Sequence, residues 1–108
     1  VIIGNSDWMK KNPETAKKFL SATKKGHEYA IKNPDDAANI LCKASPELDK
    51  KLVKNSQKYM TKQYKAEVKQ WGYINPKRWN RFYNWLNKNK LVKKNIPENT
   101  GFTNDYRE

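Results

Sequence analysis

The chain has 108 residues, of which 36% are hydrophobic and 31% charged, and a formal net charge of +12. That length fits one domain or a piece of one, and four Trp, six Tyr and three Phe supply most of the bulk in a thin apolar inventory. The single cysteine, Cys42, excludes an intramolecular disulfide and a cysteine-based zinc cluster, and no apolar run approaches the roughly 18 residues of a membrane span.

Val1-Ile2-Ile3 is a short β-branched run closed by Gly4-Asn5, and it reads as the end of a strand that pairs with something upstream. Ser6-Asp7 then predicts a cap for a short helix over 8–11. Four junctions follow in which Asn or Ser precedes Pro: Asn12-Pro13-Glu14, Asn33-Pro34-Asp35, Ser45-Pro46-Glu47 and Asn75-Pro76-Lys77. Each is a helix start on local grounds. The polar side chain can accept from a first-turn N–H, proline fits the first helical position, and three of the four carry an acid next to the positive end of the helix dipole. Helices are therefore predicted over 13–32, 34–44, 46–60 and 76–88.

In the first long helix Ala16, Phe19, Leu20, Thr23, Gly26 and Ala30 fall at spacings of three and four, which is one helical face. A glycine on that face predicts a ring or a second backbone crossing there. The next helix turns Ala37, Ala38, Leu41 and Ala44 inward, small residues that permit close approach. Leu48, Leu52, Tyr59 and Met60 line the third. The pattern fades over 61–74 and breaks at Gln70-Trp71-Gly72-Tyr73. Trp79, Phe82, Tyr83 and Leu86 then stand at i, i+3, i+4 and i+7, an aromatic core face. Residues 90–108 read as an extended tail, with Phe102 and Tyr106 as packing anchors. The spacings between helix starts differ, so there is no internal repeat. The fold class expected is all-α: a helical array with one short N-terminal strand, divided as a hinge or strand end over 1–4, the array over 5–89 and the tail over 90–108.

The residues offer little for catalysis. His27 is the only histidine, and no Ser- or Cys-bearing motif accompanies it. Asp35-Asp36 and Glu47/Asp49 sit in helix first turns, where the dipole accounts for them. No phosphate loop, calcium loop or zinc spacing is present. The expectation is that the chain is not an enzyme and uses no cofactor or metal. Of the 23 basic residues, only Arg78, Arg81 and Arg107 are arginines. Base-edge and phosphate-fork recognition leans on Arg, and the lysines are spread along every helix, so solvated helix faces outweigh nucleic-acid binding about three to one. Trp71, beside Gly72 in a loop, is the better tryptophan for a ligand or domain contact.

The stretch "PETAKKFLSATKKGHEYAIKNPDDAANILCKASPELD" resembles the C-terminal part of the substrate-binding proteins of ABC importers, in the branch that binds pyrimidine precursors of thiamine and is related to nitrate-, sulfonate- and taurine-type binders. Pro13, Glu14, Phe19, Ala22, Gly26, Tyr29 and Ala30 match a helix pattern of that family. Asn33 to Ala38, Pro46-Glu47-Leu48 with Val53 and Ser56-Gln57, Trp71-Gly72, and Phe102 to Tyr106 match further along. The resemblance implies that these helices cover one lobe of a two-lobed α/β protein, with Val1–Ile3 emerging from the inter-lobe hinge. It implies an extracytoplasmic protein, periplasmic or lipid-anchored at the cell surface. Its partners would be a small solute and an ABC permease, with no nucleic acid. In the complete protein Trp71 and Tyr73 would reach the rim of the solute cleft. Removed from its lobes, the chain is expected to expose apolar surface and to self-associate. The rival expectation is a small basic helical protein that binds nucleic acid or an acidic partner.

Overall fold

A computed structural model describes residues 1–107. Five helices follow one another: α1 Ser6–Lys11, α2 Pro13–Lys32, α3 Pro34–Ala44, α4 Lys50–Met60 and α5 Pro76–Lys88. The chain is all-helical, with no strand among the described residues. The expected N-terminal strand is thus corrected: Val1–Gly4 is irregular and exposed. A strand exists only by pairing with another extended segment, and no described segment pairs with it.

The junctions between helices work differently from the simple capping expectation. Asn12 and Asn33 do not cap the helices that follow them. Their Nδ2 groups instead donate backwards, to the carbonyls of Trp8 at 2.9 Å and Tyr29 at 3.2 Å. With a single residue between helices, the last carbonyls of the first helix and the first N–H groups of the second compete for one side chain. Proline already removes one orphan N–H of the second helix, so the carbonyl takes it. The proline also drives the residue before it out of the helical region, and Asn12, Asn33 and Ser45 share nearly the same backbone, with φ of −130°, −129° and −132°. Asn75 alone caps as expected, accepting from the N–H groups of Lys77 and Arg78.

Ser45-Pro46-Glu47 is not a helix start. It forms a turn in which Leu48 N–H donates to the Ser45 carbonyl at 3.2 Å, with Ser first and Pro second as such turns prefer. The helix starts at Lys50, where Asp49 accepts from Leu52 N–H at 2.6 Å. An aspartate with an ionised oxygen aimed at the first turn is the stronger cap, adding dipole complementarity to the hydrogen bond. At the chain start the same logic puts the cap at Asn5 rather than Ser6, and α1 gains two residues.

The chain divides into two compact units, Val1–Gly72 with Arg107, and Tyr73–Tyr106. In the first, α3 packs most extensively on α4 and also on α2, while α1 packs on α2. Its buried residues are small: Ala38 at 1% exposure and Ala16 at 6%. Gly26 is no crossing point, because nothing lies within 4 Å of a Cβ built there. Phe19 on the same helix is 59% exposed. The array buries little beyond these two alanines and leaves large apolar side chains exposed.

The second unit is α5 with an irregular leg that returns along it. Asn87 exchanges two hydrogen bonds with the backbone of Ile96, both 2.9 Å. Asn80 accepts from Asn99 N–H at 2.8 Å and donates to the Asn99 side chain. Asn84 donates to Glu98 at 2.7 Å, and Asn104 pairs both ways with the backbone of Ile74 at 3.0 Å. Trp79 packs against Phe102 and donates to the Thr100 carbonyl. Phe82, expected in the aromatic core face, is 57% exposed.

Candidate functional site

The best-organised side-chain cluster of the first unit surrounds His27. On α2 the imidazole lies four residues after Thr23, and its Nδ1 is 3.0 Å from the Thr23 carbonyl. A carbonyl only accepts, so this bond places the proton on Nδ1 and leaves Nε2 as the acceptor nitrogen of the neutral ring. Trp71 lies across the imidazole with ring centroids 4.5 Å apart at 32°, and Tyr64 meets it edge-on at 5.2 Å and 85°. Edge-to-face and offset arrangements are the favourable ones for such rings. Tyr64 donates to Gln57 Oε1 at 3.0 Å, and Gln57 Nε2 reaches the Ala30 carbonyl at 3.4 Å. One connected set thereby ties the turn region 61–71 to α2 and α4. Gly72, with φ +83°, lets the chain leave Trp71 in a conformation that a β-substituted residue rarely adopts.

The two ligand-contact candidates thus have different settings. Trp71 is half-buried, with one ring face engaged by His27. Tyr73 begins the second unit and is exposed. His27 and Cys42 are not brought together as reacting partners: His27 is occupied by aromatic rings and a backbone carbonyl, while Cys42 is a half-buried thiol on α3. No group of three or more potential metal ligands exists among the described residues. Among the described residues no helix is long and apolar enough to cross a membrane. The sequence signal for the His27 cluster was weak, since Tyr64 and Trp71 lie where helical periodicity had faded and only their bulk hinted at packing.

The sequence pattern of the family described as NMT1/THI5 like matches residues 1–37. This is a family of ABC substrate-binding proteins. The chain carries an NMT1/THI5-like segment. The matched stretch takes in α1, α2 and the first turn of α3, and with it Phe19, Gly26 and Tyr29 of the exposed face of α2. No curated protein matches the chain.

Charge divides the chain near residue 49, beyond the matched stretch. Residues 1–49 hold eight lysines and seven acids, whereas residues 50–108 hold 15 basic residues and four acids. Of the formal +12, +11 therefore falls after residue 49. The lysines are indeed dispersed, but the acids that neutralise them are not.

Proposed function

We propose that this chain is the C-terminal segment of the extracytoplasmic solute-binding component of an ABC importer, for a thiamine pyrimidine precursor or a related small solute. The carrying observation is the NMT1/THI5-like match over residues 1–37. The packing supports it. Helices that leave Phe19, Tyr29, Ile40 and Leu41 exposed while burying little beyond alanines have the surface of elements that a larger body covers. A solute site burying most of its ligand needs several convergent walls, and helix faces of this kind offer few.

In the complete protein Trp71 and Tyr73 are the proposed cleft-rim contacts, and an ABC permease is the proposed protein partner. One face of the Trp71 ring is held by His27, which pre-orients the ring for a contact at the rim. Calorimetry tests both halves. The 108-residue chain is expected to bind no thiamine precursor, nitrate or sulfonate, and a longer polypeptide carrying the upstream lobes is expected to bind one of them. There, Trp71→Ala is expected to weaken binding by about 1–3 kcal/mol, the scale of an aromatic stacking contact. Micromolar binding by the 108-residue chain alone would overturn the incomplete-site reading.

A further inference from the structure

We propose that the outward face of α4, with the turn region after it, is a docking surface for anionic lipid membranes. The surface begins with charge. Residues 50–69 hold seven lysines against one acid, Glu67, and no arginine. Lys50, Lys51, Lys54 and Lys58, with Asn55, line a shallow concavity of about 370 Å³ along α4. One of them is partly answered, since Lys58 lies 3.5 Å from Asp35 on α3. Asp49, at the helix start, is engaged in capping.

Orientation comes from the opposite side of the helix. Val53, Gln57 and Met60 are half-buried there, with Lys54 half-buried at the edge of that side, and Gln57 bonds to the backbone of α2. Leu52 and Tyr59 stand seven residues apart, so they project within about 20° of each other around the axis. Both are 68% exposed. Lys51 and Lys58 each immediately precede one of them, which sets a lysine row about 100° round the axis from an apolar and aromatic row.

That combination selects the partner. Lipid interfaces reward lysine point charges near acidic headgroups together with apolar and aromatic side chains that dip below them. Nucleic acid would be better served by arginine forks, and this segment has none. A leucine fully in solvent next to a phosphate backbone would gain nothing. The inference rests on the charge and packing of residues 50–69 and not on the solute-binding reading.

Co-sedimentation of the 108-residue chain with vesicles tests it. Binding is expected to vesicles of phosphatidylcholine mixed with phosphatidylglycerol, to fall as salt rises, and to be absent from phosphatidylcholine alone. Lys51→Gln/Lys54→Gln/Lys58→Gln is expected to weaken it on the order of 100-fold. Lys62→Gln/Lys69→Gln, outside any helix, is expected to weaken it on the order of tenfold or more. Leu52→Ser/Tyr59→Ser is expected to weaken it about tenfold while keeping the salt dependence. Lys18→Gln/Lys25→Gln on α2 serves as the control with little effect, and circular dichroism checks that each variant keeps its helix. Equal binding to neutral vesicles would overturn the proposal, as would lysine variants that bind like the parent. Tighter binding to duplex DNA or to an acidic polypeptide at the same salt would overturn it too, and would assign the surface to that partner instead.

Discussion

The two units hold themselves together by different means. In Val1–Gly72, helix meets helix through small residues. Ala16 and Ala38 are the buried positions, and the polar links between elements are few, led by Gln57 to Ala30 and Tyr64 to Gln57. In Tyr73–Tyr106 a helix and a non-repeating leg have no shared periodicity to interlock. Asparagines at 80, 84 and 87 bind the leg instead, reading two backbone groups each at Asn87 and Asn104. Alanine packing tolerates exposed neighbours because it depends on close approach of backbones. An asparagine ladder depends on complete pairing, because an irregular leg has no regular backbone ladder to satisfy its peptide groups. The first unit should thus respond to added volume and the second to lost hydrogen bonds.

The largest effect is expected in the second unit. Asn80→Ala/Asn87→Ala removes four hydrogen bonds to the returning leg and leaves the Ile96 and Asn99 amides without a side-chain acceptor. At about 1 kcal/mol per bond, the pair should cost about 4 kcal/mol of local stability. Hydrogen exchange at Ile96 and Asn99 measures this directly. Exchange rates equal to those of the parent would show that the leg is held by Trp79, Phe102, Asn84 and Asn104 without the other two asparagines.

The first unit is probed by size. Ala38, at 1% exposure on the helix that packs most on α4, has no room for a longer side chain. Ala38→Leu should cost about 2 kcal/mol through overpacking, read as a lower midpoint in urea. An unchanged midpoint would mean that α3 and α4 can separate freely. Phe82→Ala, by contrast, should change stability by less than about 0.5 kcal/mol, as expected for a largely exposed ring. A loss above about 2 kcal/mol would restore the aromatic core face to which the periodicity points.

How much of this was legible follows from the kind of interaction involved. Helices 13–32, 34–44 and 76–88 could be read from sequence because proline and periodicity act within one turn, and the structure places them at those residues. The start of α4 was misplaced because Ser45-Pro46-Glu47 satisfies a turn and a helix start equally, and only the geometry of Asp49 decides. The role of Asn12 and Asn33 was reversed for a related reason: a side chain between two helix ends serves whichever is less satisfied. The asparagine ladder left a trace in the i, i+4, i+7 spacing of 80, 84 and 87, on residues that disfavour helix interiors. Its target is an irregular leg, which has no pattern to pair with that spacing. Lys90 adds a further case. It ends α5 in the left-handed region at φ 53°, with Lys90 N–H on the Asn87 carbonyl and Leu91 N–H on the Leu86 carbonyl. This closing motif usually announces itself by glycine, and lysine hides it. For the candidate site, Trp71 was singled out from its loop setting, but its partner His27 lies 44 residues away in a different pattern, and no local signal links them.

The smallest expected effect concerns the joint between α2 and α3. Tyr29 donates to Asp36 Oδ2 at 2.5 Å, on the solvent side of that junction. The carboxylate accepting this bond, and its negative charge nearby, raise the Tyr29 pKa above the ordinary 10.0. A phenol whose folded pKa is raised contributes stability that is fully present below its unfolded value, and that contribution is lost as pH climbs through the folded value. The link is therefore intact near neutral pH and fails only in strong alkali. Asp36→Ala removes both the acceptor and the charge, so a phenolate absorbance titration should show one tyrosine ionising at lower pH than in the parent, while the urea midpoint at neutral pH barely moves, as for an exposed pair. Two superimposable titration curves would mean that the hydroxyl and the carboxylate do not meet in solution. The α2–α3 angle would then rest on the Asn33-Pro34 joint and on the packing of α3 against α2.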